Sequence, residues 1–214
     1  MRSKAISDSL WDLLLRLNSI TEMKLSYLGG GTALALVFEH RRSEDLDFFL
    51  MEGFDDLAFK KAIQTRGMAS TVVNQTHDHS ELIIQSIKVD LIRERIPLKF
   101  PLKPVGFNIK NLKMADPRDI GRMKIMSIGS RGNKKDFVDL YCLTRKIIPL
   151  ESLLALAMEE DHGIRYSKLL FLKGLVDFEE ADQEGKLPIL WDISWEEVKK
   201  SLTDEVKHIA EKIK

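Results

Sequence analysis

Two carboxylates separated by a single leucine, Asp45 and Asp47, stand in the segment SEDLDFFL. On an extended strand alternate side chains leave the same face, so the two aspartates would present their oxygens together. Hard cations such as Mg2+ take oxygen ligands, commonly one or two carboxylates plus substrate phosphates. Two such ions roughly 4 Å apart can stabilise both the attacking and the leaving oxygen of a displacement at phosphorus. Upstream, the string GGGTAL opens an apolar stretch that reads as a buried helix, TALALVFE. The first amides of a helix lack intrahelical partners and sit at the positive end of its dipole, which suits a phosphate. Gly30 and Gly31 would let the phosphate approach the backbone, and Thr32 would add a hydroxyl. Each feature has a plainer counterpart: a glycine run can be a tight turn, and Asp-x-Asp a solvated strand face. The string also fails both the dinucleotide fingerprint and the P-loop pattern, so any phosphate seat here is of another kind.

Three further residues break their local pattern. Asp90, in IIQSIKVDLI, alternates with Val89 and Leu91 and so belongs to a polar strand face. Lys124 lies within the apolar stripe of a helix that starts near Pro117, four residues from both Ile120 and Ile128. Asp136 shares a face with Leu140 and Leu143 on the next helix. A Lys on an apolar face must snorkel out or meet an anion. A structural ion pair between the helices and a nucleotide-facing Lys124 held by Asp136 both satisfy that demand. Asp139, four residues after Lys135, reads as a surface partner of that lysine. Arg118, Arg122, Arg131, Lys134 and Lys135 make a locally basic stretch, which could receive a triphosphate or an RNA and could equally be a solvated face. His77 and His79 flank Asp78 in a turn with no Cys or His partner nearby, so no zinc site is expected.

The residues Gly30, Gly31, Thr32, His40, Arg41, Ser43, Asp45, Leu46, Asp47 and Phe48, with Asp90, Lys124 and the run Lys134–Leu140, resemble the AbiEii/AbiGii toxin family of nucleotidyltransferases, in the DNA polymerase β-like superfamily. The resemblance spans residues 25–145. It implies transfer of a nucleoside monophosphate from an NTP to an acceptor, with Mg2+ (or Mn2+) held by Asp45 and Asp47. Asp90 would complete the metal site or activate the acceptor. Gly30, Gly31 and Thr32 would seat the β and γ phosphates, with Arg41 and Ser43 on the nucleotide side; His40 would be a structural neighbour. Lys124 would neutralise triphosphate charge, and Asp136 would orient Lys124 or act directly. The resemblance also implies a toxin of a toxin–antitoxin or phage-defence system, a separately encoded antitoxin and a tRNA 3′ end as one acceptor. A non-catalytic nucleotide-binding or interaction module of the same fold, and a transferase acting on a small molecule or a protein hydroxyl, remain open.

A chain of 214 residues, 44% hydrophobic and 31% charged, can bury a real core. Lys and Arg (33) balance Asp and Glu (33), so nucleic-acid contact would need a local basic patch rather than overall charge. One cysteine, Cys142, allows no internal disulfide and reads as a core thiol. No apolar run is long enough for a membrane span and the N-terminus does not read as a signal peptide, which points to the cytoplasm.

Periodicity predicts helices over 4–22, 32–39 and 55–66, a β region through 69–94 with a turn at HDHS, and a loop over the proline-rich 97–107. A short strand at 109–114 and helices over 117–129, 134–147, 150–160, 166–173 and 194–212 follow. This pattern predicts an α+β part (1–115) followed by an all-helical lobe (116–214). The resemblance implies that the first is a nucleotidyltransferase core with a mixed sheet flanked by helices, and that the site lies in a cleft between the two.

Overall fold

The computed structural model describes residues 3–93, 97–107, 109–128, 132–159 and 167–212. Arg131, counted above in the basic stretch, lies outside them. Contacts divide the chain into two compact units, one ending at Asp116 and the other starting at Pro117.

Among the described residues, the first unit has a seven-stranded mixed sheet and three α-helices. In chain order it runs α1 (Asp8–Asn18), β1 (Ser26–Leu28), α2 (Gly30–Phe38), β2 (Leu46–Leu50), α3 (Asp56–Thr65), β3 (Ser70–Gln75), β4 (His79–Ile84), β5 (Ile87–Ile92), β6 (Lys103–Gly106) and β7 (Ile109–Met114). The strand order is β3-β4-β5-β2-β1-β7-β6. The β2–β5 and β1–β7 pairs are parallel and the others antiparallel.

α1 is shorter than its periodicity predicts. The Ser19 hydroxyl donates to the Arg16 carbonyl, 2.6 Å away, and ends the helix by competing for its last carbonyls. A 3-10 turn, Glu22–Leu25, follows instead. β6 replaces part of the expected loop. It is an edge strand, the one place in a sheet where Pro104, lacking an N–H, is tolerated. In β2 the leucines and Phe48 are buried, and Phe49, on the alternate face with Asp47, is buried too, stacked on Tyr27 at 5.3 Å. The carboxylate face of β2 thus runs into an apolar patch.

An N-terminal clasp ties residues 3–6 to the segment between α2 and β2. The Ser43 amide donates to the Ala5 carbonyl at 2.8 Å, and Ile6 bridges Ser43 in parallel. Ser3 Oγ and the Lys4 amide donate to Glu39 Oε1 at 2.7 and 3.0 Å. The Ser3 hydroxyl, then the Lys4 amide, hold the Glu39 carboxyl below the usual range.

The second unit is helical throughout its described elements: α4 (Pro117–Ile128), α5 (Lys134–Lys146), α6 (Leu150–Met158), α7 (Lys168–Gly174), α8 (Glu179–Gln183) and α9 (Trp195–Glu211). α4 packs on α5, α6 and α7, and α5 on α8 and α9. Phe137, Phe178 and Trp195 form an aromatic cluster, Phe137 and Phe178 being 4.8 Å apart. α9 begins with a capping box between Ser194 and Glu197. α8, only five residues long, leaves no periodic signal in the sequence. Among the described residues no helix is long and apolar enough to cross a membrane.

Candidate active site

Strand register brings the second and third candidate carboxylates side by side. β2 and β5 are parallel, with Asp47 directly opposite Asp90. Neighbouring strands lie about 4.8 Å apart, and directly paired residues point to the same face. Asp45 stands one residue before β2 and is half-buried, as is Asp47.

The glycine turn is shaped around Asp47. Gly30 has φ +58°, and a Cβ added there would lie 1.9 Å from Asp47 Oδ2. Only glycine combines that backbone conformation with that close approach. The Asp47 carboxylate therefore stands against the first residue of α2. Gly29 makes room for a ring instead, since a Cβ there would lie 2.4 Å from Phe49. Its amide donates to the Asp47 carbonyl at 2.9 Å, so the turn is pinned to β2 at the residue whose side chain it faces. Gly31 is buried in the first turn of α2.

Thr32 is placed differently from its expected role. It is fully buried, and its hydroxyl donates to the Asp45 carbonyl at 2.5 Å. Thr32 Oγ1 also lies 2.8 Å from Ser43 Oγ; its one proton serves the shorter contact, to the carbonyl. Thr32 thus spends its proton on the backbone of the carboxylate strand rather than presenting it outward. Ser43 Oγ also lies 3.4 Å from Asp45 Oδ1. Arg41 is buried and reaches back to the Arg42 carbonyl (3.0 Å) and Ser43 Oγ (3.5 Å). His40 is buried with its ring 5.9 Å from that of Phe38, an edge contact in keeping with a packing role.

Asp90 is 7% exposed, and both its oxygens are engaged. His79 Nε2 lies 2.7 Å from Oδ1, and Lys88 Nζ 3.3 Å from Oδ2. Glu81, directly across from Asp90 on β4, shares Lys88 at 3.1 Å. Burial lowers the Lys88 pKa, but the hydrogen bond to Glu81 and the charge of Asp90 outweigh it and leave it raised. Sequence reasoning misses His79 as part of the site. The signal that could find it is its alternation with Glu81, two residues on, which puts both on one strand face. His77, by contrast, is largely exposed and pairs with its neighbour Asp78.

In the helical unit Lys124, 8% exposed, is gripped by two carboxylates: Asp136 Oδ1 at 2.6 Å and Asp139 Oδ2 at 2.7 Å. The surface position expected for Asp139 is not what the structure shows. It is 0% exposed, because three residues after Asp136 it falls on the same buried face. The basic stretch is not a uniformly solvated face. Arg122 is 1% exposed and paired with Asp119 at 3.3 Å. Lys134 is buried, donating to the carbonyls of Glu184 (2.8 Å) and Gly185 (3.3 Å).

The oxygen donors of Asp45 and Asp47 match what a hard divalent cation requires. Among the described residues, however, no three His, Cys, Asp or Glu side chains are gathered so as to hold a metal ion. The donor chemistry fits a metal on the Asp45–Asp47 pair, with Asp90 alongside and already engaged by His79 and Lys88.

Known proteins share this architecture. Over 190 residues the chain is 34% identical to the uncharacterised protein aq_aa25 of Aquifex aeolicus strain VF5, covering 86% of this chain and 88% of that one. The structure resembles MenT4, the nucleotidyltransferase toxin Rv2826c of Mycobacterium tuberculosis H37Rv, with a TM-score of 0.62 and 20% identity over 94% of this chain and 82% of that one. It also resembles the antibiotic-resistance factor ANT(2'')-Ia, with a TM-score of 0.57 and 14% identity over 71% of this chain and 91% of that one. At these identities the two structures speak for the fold. The family described as "Nucleotidyl transferase AbiEii toxin, Type IV TA system" matches residues 12–212, which span the glycine turn, the Asp-Leu-Asp strand, Asp90 and the Lys124 triad. By that match the chain belongs to the AbiEii family of nucleotidyltransferase toxins.

Proposed function

We propose that the protein moves a nucleoside monophosphate from an NTP to a hydroxyl acceptor, with a tRNA 3′ end as the first candidate, and that it is the toxin of a pair with a separately encoded antitoxin. The observation that carries this reading is the lateral pairing of Asp47 with Asp90 on parallel strands, with Gly30 cut away beneath Asp47. Asp45 and Asp47 would hold Mg2+ (or Mn2+), which when bound offsets charge on the triphosphate. The amides of Gly30 and Gly31 would donate to the phosphates. Arg41, Ser43 and Thr32 would keep the Asp45 backbone and carboxylate in place, with Arg41 and Ser43 on the nucleotide side. Lys124 would meet triphosphate charge, oriented by Asp136. Asp90 could serve as third metal ligand or as proton acceptor. Its engagement by His79 and Lys88, and the lack of a three-donor group among the described residues, favour the second. Catalysis of this kind is positioning plus charge stabilisation, so few residues need do covalent work.

The test incubates the full chain with each α-labelled NTP and Mg2+, in separate arms with total tRNA, an aminoglycoside and a protein mixture. Label on tRNA that vanishes in Asp45→Asn supports the reading. Label on the aminoglycoside or on protein moves the acceptor to that class. No transfer and no NTP binding would leave a non-catalytic module.

A further inference from the structure

Asp90 has a partner at each oxygen, and the two partners differ in quality. Lys88 is shared with Glu81, 44% exposed at its side chain, and sits at 3.3 Å from Oδ2. His79 makes the short contact, 2.7 Å to Oδ1. The backbone explains why it can. Glu81 lies directly across from Asp90, and His79, two residues earlier on β4, leaves the same face of the sheet. It is therefore a diagonal neighbour, within reach of a long or aromatic side chain. A carboxylate oxygen without a proton can only accept, so Nε2 is the donor. The terminal torsion of an aspartate is broad, and a carboxylate held at one oxygen by a short bond loses most of that freedom.

We propose that His79 is a positioning residue for the transfer reaction: its Nε2–H, held on Asp90 Oδ1, aims the Asp90 carboxylate at the acceptor hydroxyl. This rests on the reading of Asp90 as the proton acceptor. In the step, the acceptor O–H gives its proton to the Asp90 oxygen that His79 does not hold. The hydroxyl oxygen's electron pair forms the bond to the α-phosphorus. The bond between the α-phosphorus and its bridging oxygen breaks, and that electron pair leaves with pyrophosphate. Asp90 then passes the proton to water, and His79 keeps its own throughout. A general base must lie within hydrogen-bond reach of the proton it removes, so the plane of Asp90 matters to the rate more than to binding. As a mere ion-pair partner, His79, with its side chain 37% exposed, would add little even to stability.

The experiment compares the wild-type chain with His79→Leu, His79→Asn, His79→Gln and Asp45→Asn. It measures transfer kinetics in whichever arm accepts label, Mn2+ binding by the spin resonance of free Mn2+, and thermal melting. Partners that orient a functional group through one hydrogen bond typically cost about 10–100-fold when removed, and His79→Leu is expected to lower kcat by at least about tenfold. KM for the NTP, Mn2+ affinity and melting temperature should stay near wild type. His79→Asn, whose amide falls short of Asp90, should behave like His79→Leu, while His79→Gln, which still presents an N–H at similar reach, should recover most of kcat. Wild-type kcat in His79→Leu, a loss confined to KM, or failure of His79→Gln to rescue overturns the assignment. If the wild type labels no acceptor, or Asp45→Asn labels as well as wild type, the nucleotidyl-transfer reading itself falls, and this role falls with it. Dependence on Asp45 with indifference to His79 overturns the positioning role alone.

Discussion

In the sheet unit Asp47 and Asp90 sit side by side across two strands, and Asp45 and Asp47 remain half-buried. In the helical unit Asp136 and Asp139 close on one ammonium, and all three groups are nearly sealed from water. The side-chain chemistry is the same and its settings differ. Helix spacing puts two aspartates on one buried face, where each must be charge-compensated from within the protein. Strand alternation and register put theirs on a partly open face beside helix amides, where a cation and a phosphate can supply the compensation. The triad therefore bears on stability at least as much as on chemistry, and the strand pair on chemistry above all.

Asp47→Asn breaks this contrast most sharply if it is wrong. It should reduce transfer by about a thousandfold, equivalent to roughly 4 kcal/mol of transition-state stabilisation, while the melting temperature barely moves. Lys124→Met tests the helical side. It leaves two buried carboxylates facing each other, and urea unfolding should show a loss of about 3–5 kcal/mol. Equal stability of Lys124→Met and wild type would show the triad to be as replaceable as a surface pair.

Both clusters are only partly legible in the sequence. The Asp-Leu-Asp strand and its core leucines follow from alternation alone, and Lys124 and Asp136 stand out as charges on apolar faces. The Asp47–Asp90 register cannot be read, because it is set by how strands about 40 residues apart align. The i,i+4 spacing pairs Asp139 with Lys135, although its spacing from Asp136 already places it inside. His79 is hidden by its neighbours: HDHS (77–80) reads as a turn that includes His79, whereas the strand begins at His79 itself. β6 is masked by prolines that only an edge strand accepts.

Thr32→Val sharpens the comparison on a smaller scale. It removes the donor to the Asp45 carbonyl inside the protein, so stability should fall by about 1–3 kcal/mol. Transfer should also fall, by less than in Asp47→Asn, because Asp45 is loosened rather than lost. A Thr32→Ser variant keeps the hydroxyl and should recover most of both. Unchanged stability in Thr32→Val would return the hydroxyl to its expected place at the phosphates.

The smallest effect concerns Glu39. Its carboxyl is held low in the folded chain, so its contribution is present above the ordinary carboxylate value and fades as pH falls through the lowered one. Hydrogen exchange at the Lys4 amide should accelerate over that acidic window, and Glu39→Gln should largely remove the pH dependence. Exchange that is insensitive to pH beyond its intrinsic rate would show the contact to be passive.

The same contact has a practical reach. Ser3, Lys4, Ala5 and Ile6 are stitched to Glu39 and Ser43, and Ser43 in turn touches Thr32 and Asp45. An affinity tag or a trimmed start at that end would therefore not be silent: it would tug, through a handful of bonds, on the loop that carries Asp45.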